Sequence, residues 1–423
     1  MPEIKKFQLP NGLRVVHHID VSSPMVIVNV LYDVGAKDEE PNKTGFAHLF
    51  EHLMFGGSVN IPSYDSFVQQ SGGENNAWTT NDITNYYVIL PYQNVETGFW
   101  LESDRMLSLD FNQKVLDAQK QVVMEEFKQR NLNQPYGDAN HLLRSIAYKE
   151  HPYRWSPIGK ELSHIEQATM EDVKAFFISH YAPNNAILSV AGNITLEETK
   201  RLTEKWFGAI PARNIKKRNL PAEPLQQEAR FMEVERNVPV NAIYKAYHIS
   251  DRRSPDYYVF DVISDILANG NSARLYRRLV KEEKLFTEIN AYISGDIDAG
   301  LLHLTGKLAK NISFKEADNG LVRELERLQN ERVGELELEK VKNKYESGQL
   351  FNEINLLNKA NNMAYFELLS QAEDMNLEIS KYRAVTSEQI KQKAQETFVG
   401  GNSSTLHYYA SNKNKRNKLS ITY

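Results

Sequence analysis

Two histidines and a glutamate stand close together near the start of the chain, in the segment His48-Leu49-Phe50-Glu51-His52. On a helix, residues four apart point the same way, so the imidazoles of His48 and His52 could bind one metal ion from one side. Glu51 lies at the edge of that face, where its carboxylate could take a proton from a water molecule held by the metal. These residue types in this order predict a zinc-dependent hydrolase.

The flanking residues favour a short, buried helix for this segment. Thr44 is expected to cap its first turn, and Gly56-Gly57 to end it. Phe46, Leu49 and Leu53 supply apolar contacts around the histidines. The alternative is that the two histidines fall four apart by chance and form hydrogen bonds in an ordinary core.

A catalytic zinc site normally has a third protein ligand. Glu125 and Glu126 are the candidates, because a long helix is predicted from Val115 to Arg130. Glu126 follows Val122 by four residues and Val123 by three, so it is expected on the buried stripe, whereas Glu125 lies nearer the solvent. A buried carboxylate is costly unless it meets a cation. Glu126 is therefore the preferred ligand, and the alternative is a partly exposed side chain at the edge of the stripe.

Composition limits the classes of function. With 423 residues, the chain is expected to form two domains of about 200 residues each. The net charge of −5 gives no electrostatic reason to expect binding to nucleic acid or an anionic membrane. No apolar run approaches the ~18 residues of a membrane span. Without cysteine, a metal must be held by histidines and carboxylates, which suits one zinc ion per chain.

The N-terminal residues bear on the cellular location. Met1-Pro2-Glu3-Ile4-Lys5-Lys6 contains no hydrophobic signal segment and leads directly into a strand-like sequence. This favours a cytoplasmic location. A periplasmic or other exported location stays possible if a leader has been removed.

Strand and helix patterns occur in a similar order in both halves of the chain. In the first half, a hairpin around Asn11-Gly12 is followed by strands, the motif helix and further helices. The pattern stops in a proline-rich, basic stretch and then restarts. We predict an α+β fold of two homologous domains, each a mostly antiparallel sheet packed with helices. The predicted boundaries are 1–210 for the zinc-binding domain, 211–224 for a linker, and 225–423 for a domain without a metal site.

The chain resembles the pitrilysin/insulinase metallopeptidases, or inverzincins. It is most similar to their short two-domain members, of the size of the mitochondrial processing peptidase β-subunit and its bacterial relatives. The resemblance covers nearly the whole chain, and the motif at His48 is its most specific part. The other matching segments are Asn11-Gly12-Leu13-Arg14-Val15, Gly72-Gly73-Glu74-Asn75-Asn76-Ala77 with Thr79, Val122-Val123-Met124-Glu125-Glu126, His151-Pro152-Tyr153, Tyr181-Ala182-Pro183-Asn184-Asn185-Ala186 and Ser272-Ala273-Arg274-Leu275-Tyr276.

The resemblance implies a role for each matching residue. His48, His52 and Glu126 match the three zinc ligands, and Glu51 matches the general base. Asn76 and the adjacent Ala77 fall in a segment that lines the cleft beside the metal, where an edge strand pairs with the substrate backbone. From the sequence alone, a plain turn residue is an equally good interpretation of Asn76.

Two departures from the family pattern affect the predicted assembly. Gln119 stands seven residues before Glu126, where the family usually has a second glutamate; its amide could still support the ligand by hydrogen bonding. Single-chain relatives carry an Arg and a Tyr in the second half that hold the substrate, and Val280 and Thr287 stand there in this chain. We therefore expect a heterodimer with a homologous chain that carries the Arg/Tyr pair. A homodimer is the alternative.

The predicted function is that of a zinc metalloendopeptidase. The resemblance implies hydrolysis of extended or unfolded peptides inside a closed chamber, with zinc-bound water as the nucleophile and Glu51 as the general base. The alternative is a non-catalytic or weakly active assembly subunit of a processing-peptidase-like complex. A metal-dependent hydrolase of small amides would share the site without needing a chamber.

Overall fold

The computed structural model describes residues 3–215 and 218–411, which form two compact units. The first unit contains residues up to 127, 150–222 and 344–381; the second contains 128–149, 223–343 and the described residues from 382 onwards. Most of each predicted domain falls in one unit. Residues 128–149 lie in the second unit although they were expected in the first, and residues 344–381 lie in the first although they were expected in the second. The homologous domains with boundaries at 211 and 224 stay a prediction.

Each unit is built around one mixed sheet. The strands are β1 (Lys5–Gln8), β2 (Arg14–Ile19), β3 (Met25–Tyr32), β4 (Glu74–Thr79), β5 (Thr84–Pro91), β6 (Ala186–Gly192), β7 (Arg230–Arg236), β8 (Ala242–His248), β9 (Phe286–Ile293), β10 (Leu301–Leu308) and β11 (Ser403–Ala410). The first sheet has the order β1-β2-β6-β3-β5-β4, and the second β7-β11-β8-β10-β9. All neighbouring strands are antiparallel except the β2–β6 and β7–β11 pairs. The α+β class and the mostly antiparallel sheets are thus confirmed.

Helices cover these sheets. They are α1 (Phe46–Leu53), α2 (Tyr64–Gln70), α3 (Val95–Leu107), α4 (Gln113–Phe127), α5 (Ala139–Ala147), α6 (Leu162–Glu166), α7 (Met170–His180), α8 (Leu196–Phe207), α9 (Asp256–Ala268), α10 (Phe314–Asn330), α11 (Glu335–Asn352), α12 (Leu356–Leu369), α13 (Glu378–Arg383) and α14 (Ser387–Thr397). None of the described helices is long and apolar enough to cross a membrane.

The first sheet is buried on both faces. Val26, Val28 and Val30 of β3 alternate into the core formed with α1, α3 and α7. The residues between them, such as Asn29, are equally buried but point to the other face, where α12 packs against β3 and β6. Met363 of α12 is fully buried at this position in the first unit.

The segment predicted as a linker has neither helix nor strand between α8 and β7 in the described residues. Its Arg218 is nevertheless fixed to the first unit, because the guanidinium forms ion pairs with Asp33 at 3.0 Å and Asp38 at 2.5 Å. Burial lowers the pKa of Arg218, but the two carboxylates raise it by more, so the net shift is upward. Arg218 therefore stays charged and holds this part of the chain in place.

We predict that Met363→Ala lowers the free energy of unfolding of the first unit by about 2–5 kcal/mol, because it leaves a cavity between α12 and the sheet. Leu350→Ala is the control, since Leu350 is 52% exposed and its loss should change stability by less than about 0.5 kcal/mol. Hydrogen exchange followed by mass spectrometry should show faster exchange in β3 and β6. Faster exchange in the second unit alone would contradict the placement of α12.

Candidate metal centre

The motif helix α1 begins differently from the sequence prediction. Its N-cap residue is Gly45, whose φ of 87° lies in the left-handed region that glycine adopts without strain. Thr44, which was expected to cap the helix, was the wrong choice. Its hydroxyl instead lies 2.8 Å from His164 Nδ1 and accepts the backbone N–H of Lys160. Thr44 therefore ties the start of α1 to the segment around α6.

The carboxylate of Glu39 takes the capping role. Its two oxygens accept the backbone N–H groups of Gly45 at 2.9 Å and Ala47 at 2.8 Å. The N–H groups and the helix dipole favour the charged form of this carboxyl group, but they do not outweigh its burial. Burial raises the pKa of Glu39 to about 8, and the two N–H groups oppose that shift. No local sequence pattern indicates this contact, because Glu39 lies outside the usual capping positions.

Three side chains of the first unit converge where α1 packs against α4. His48 Nε2 and His52 Nε2 are 3.4 Å apart. Glu126 approaches both, with Oε2 at 3.6 Å from His48 Nε2 and Oε1 at 3.5 Å from His52 Nε2. Among the described residues, this is the only group of His, Asp and Glu side chains compact enough to hold one metal ion.

The spacing of these atoms fits a zinc ion. Tetrahedral ligands about 2.0–2.1 Å from zinc lie about 3.3–3.4 Å from one another, close to the separations of the three donors. Two imidazoles and one carboxylate are also a donor set that catalytic zinc sites use. His48 is buried, whereas His52 and Glu126 are partly exposed, so the site is open to solvent on one side.

The two neighbouring glutamates differ in their positions relative to the histidines. Glu126 is partly buried beside the histidines, and Glu125 is exposed. The buried stripe of α4 is narrower than expected, since Val123 is fully buried but Val122 is 44% exposed. The position of Glu126 thus follows from the contact between α4 and α1 more than from a wide apolar stripe.

Glu51 is held beside this group by a residue of the first sheet. Its Oε2 accepts a hydrogen bond of 2.6 Å from Thr79 Oγ1, at the end of β4. Burial raises the pKa of the Tyr86 and Tyr181 hydroxyls, and the charge of Glu51 adds to that effect. Both tyrosine hydroxyls therefore stay neutral beside Glu51.

Two family models match the chain. The model described as "Insulinase (Peptidase family M16)" matches residues 14–159, and the one described as "Peptidase M16 inactive domain" matches residues 167–345. The chain belongs to the M16 peptidase family. Both matches together span most of the chain, and the first contains every residue of the converging group.

Relatives of known name agree with this family. The chain is 29% identical over 350 residues to the zinc protease PqqE of Helicobacter pylori. The aligned region covers 81% of this chain and 78% of PqqE. A crystal structure of a protease from Helicobacter pylori is 27% identical with a TM-score of 0.90, covering 96% of this chain and 100% of the other. The periplasmic protease PqqL from Escherichia coli has the same fold, with a TM-score of 0.79 and 20% identity. The superposition covers 97% of this chain but only 48% of PqqL.

The other residues singled out by the M16 resemblance lie near the centre or in the second unit. Asn76 is exposed on the edge strand β4, and its side-chain oxygen accepts the N–H of Ala77 at 2.8 Å. Gln119 is partly buried on α4, two helical turns before Glu126. Their roles stay predictions.

The two substituted positions of the M16 pattern lie in the second unit. Val280 falls in a π-helical turn from Tyr276 to Glu282, and Thr287 is exposed near the start of β9. The Thr287 hydroxyl donates to the Lys307 carbonyl at 3.3 Å. Neither side chain carries a charge or a phenol.

Sequence reasoning missed a buried polar cluster in the first unit. The guanidinium of Arg105 pairs with Glu102 inside α3, and lies 4.5 Å from the ring centre of Tyr64 and 4.4 Å from that of Tyr86. Glu102 also accepts the Tyr64 hydroxyl at 2.6 Å. A buried charge needs such partners, and these fix Tyr86 of β5 in position near Glu51.

We predict that Glu126→Gln removes most of the bound zinc, because a neutral amide is a poor ligand for this ion. His48→Ala and His52→Ala should do the same. Glu125→Gln is the matched control and should keep about one zinc per chain. Elemental analysis after dialysis measures the metal, and circular dichroism checks the fold. Loss of zinc from Glu125→Gln but not from Glu126→Gln would show that the wrong glutamate was chosen.

Proposed function

We propose that this M16 protein is a zinc metalloendopeptidase, with His48, His52 and Glu126 as the ligands of one zinc ion. The observation that carries the proposal is the convergence of these three donors, at separations of 3.4–3.6 Å. When bound, zinc acts as a Lewis acid that makes water a better nucleophile and polarises the scissile carbonyl.

Glu51 is the proposed general base. Its carboxylate is placed on the helix turn that carries His52, and Thr79 holds one of its oxygens. It would take a proton from the attacking water and later pass a proton to the nitrogen of the departing amine. A carboxylate suits both steps, because it can accept and release a proton without moving from the site.

The edge strand β4 supports an extended peptide as substrate. It pairs with β5 on one side and ends the six-stranded sheet on the other. An extended chain can add to such an edge through backbone hydrogen bonds, whereas a folded segment cannot. Because Thr79 at the end of β4 contacts Glu51, a peptide on this edge would lie close to the base. We propose that Asn76 and Ala77 contribute to this surface, and that Gln119 supports Glu126.

The proposed assembly is a pair of homologous chains. Val280 and Thr287 cannot supply the donors that the Arg/Tyr pair supplies in single-chain relatives. Escherichia coli PqqL, whose chain is about twice as long, contains one copy of this fold in about half of its length. Its first half alone superposes with a TM-score of 0.77. We propose that a second chain takes the place of the remaining half of PqqL, and that the two chains enclose substrates in a chamber.

The cellular location stays a prediction. The cytoplasm is the location expected above, while PqqL is described as a periplasmic protease. The chemistry proposed for the site is compatible with either compartment, since it uses no cysteine.

We predict that Glu51→Gln keeps zinc and the fold but lowers the rate of peptide hydrolysis by at least about 100-fold, because an amide cannot accept the proton of water. The matched control is Glu125→Gln, a same-type change at an exposed position near the centre. Cleavage of a fluorescence-quenched peptide measures the rate, and elemental analysis measures zinc. A Glu51→Gln protein with more than about a tenth of the normal rate would exclude Glu51 as the base.

We further predict that the isolated chain hydrolyses peptides weakly and that a homologous chain with the Arg/Tyr pair raises the rate. Loss of one donor for the developing oxyanion typically lowers the rate by about 10²–10³-fold, so the partner should restore a factor of that size. Light scattering should show a 1:1 complex. Full activity of a homodimer or monomer, unchanged by any homologue, would contradict the two-chain proposal. No hydrolysis by the zinc-loaded complex would favour the alternative of an assembly subunit.

A further inference from the structure

Thr79 connects the edge strand with the side chain of Glu51. It is the last residue of β4, and its hydroxyl donates to Glu51 Oε2 at 2.6 Å. Hydrogen bonds of this length between a hydroxyl and a carboxylate are charge-assisted and stronger than neutral ones. Both residues are partly buried, so water competes with this bond less than it would at the surface.

The backbone around Thr79 is firmly fixed. Thr79 pairs with Thr84 of β5, which is fully buried and donates to the Val34 carbonyl at 2.9 Å. The turn between the two strands is closed by a hydrogen bond of 2.8 Å from the N–H of Thr80 to the Ile83 carbonyl. The hydroxyl of Thr79 is therefore presented to Glu51 from a rigid strand end.

Strand alternation places this hydroxyl on the side of β4 that faces the motif helix. Ala77 and Thr79 point towards α1, which packs against β4. Trp78 points to the other face, where its ring contacts that of Tyr87, and Asn76 pairs with Tyr87 on the same face. Of the two side chains near the end of the strand, only that of Thr79 can reach the base.

We propose that Thr79 is a positioning residue that holds the Glu51 carboxylate in the orientation needed for proton transfer. A glutamate side chain has three rotatable bonds, and a carboxylate without this bond would spend part of its time turned away from the reacting water. The inference rests on the proposed function, because it takes Glu51 as the base. It adds that the strand offered to the peptide also sets the geometry of catalysis.

A purely structural role for Thr79 makes different predictions. If the hydroxyl only stabilised the end of β4, its loss would lower the melting temperature or distort the peptide-binding edge, and KM would rise. If it orients the base, the loss falls on kcat, because the bond acts on the chemical step and leaves peptide binding unchanged. Zinc content should stay the same in either case, since Thr79 is not one of the three converging donors.

Three variants of the full-length, zinc-loaded chain, with the partner chain added where it is needed for activity, test the proposal. Thr79→Val keeps the shape and removes the hydroxyl, whereas Thr79→Ser keeps the hydroxyl. Thr80→Val makes the same chemical change one residue later, where the hydroxyl accepts the N–H groups of Asp82 and Ile83 within the turn. Cleavage of a quenched peptide gives kcat and KM, and a crystal structure of metal-free Thr79→Val gives the orientation of Glu51.

We expect Thr79→Val to lower kcat by about 10- to 100-fold, the size typical for a lost hydrogen bond to a charged group. KM, zinc content and melting temperature should stay close to the wild-type values, Thr79→Ser should recover most of kcat, and Thr80→Val should keep it. In the crystal structure, the Glu51 carboxylate of Thr79→Val should be rotated or present in several orientations.

An unchanged kcat in Thr79→Val, no recovery in Thr79→Ser, or an equal loss in Thr80→Val would overturn the proposal. So would a crystal structure in which Glu51 keeps its orientation without the hydroxyl. The structural measurement also separates the two levels of inference. If the wild-type complex cleaves no peptide, the proposed function fails, while the orientation of Glu51 in Thr79→Val still decides whether Thr79 holds that carboxylate.

Discussion

The packing of α1 against α4 determines where the donor atoms of the first unit lie. Three donor atoms from two helices must come within about 3.5 Å of one another to serve one metal ion. An eight-residue helix such as α1 is not stable alone, so packing and capping must hold it in place. Glu39 binds the first N–H groups of α1, and buried apolar residues on its other sides fix its rotation. The angle at which His48 and His52 face Glu126 is therefore set outside the motif itself.

Buried polar pairs around the centre determine geometry more than they determine stability. Lys37 and Asp82 form an ion pair of 2.7 Å that is almost fully buried, and Arg105 with Glu102 forms another. Removing charges from water offsets most of the attraction between them, so such pairs add little net stability. Each nevertheless excludes alternative packings that would leave a charge without a partner. Tyr153, whose hydroxyl donates to Asp82 at 2.5 Å, joins a neighbouring loop to the turn that follows Thr79.

The sequence was most informative where one interaction dominates locally. The H-x-x-E-H spacing predicted the motif helix and its converging histidines, and the helical pattern from Val115 to Arg130 predicted most of α4. Edge strand β4 was expected only from the family resemblance, because Glu74 to Thr79 is polar and becomes a strand by pairing with β5. Helix α3 was missed because Glu102 and Arg105 are buried in it, which removes the usual apolar period. The contact of Glu39 with α1 and the place of α12 depend on tertiary packing, which no local pattern records.

The position of β6 between β2 and β3 sets the order in which the protein can form during synthesis. β2 and β3 follow each other in the chain but do not pair with each other. Each pairs with β6, so neither can complete its hydrogen bonds before residues 186–192 have been synthesised. The second face of the same sheet stays uncovered until α12 leaves the ribosome. Such distant pairings make folding slow and expose unpaired strand edges in the meantime. A shortened chain ending near residue 210 would lack α12, so the face of β3 and β6 that this helix covers would stay exposed to solvent.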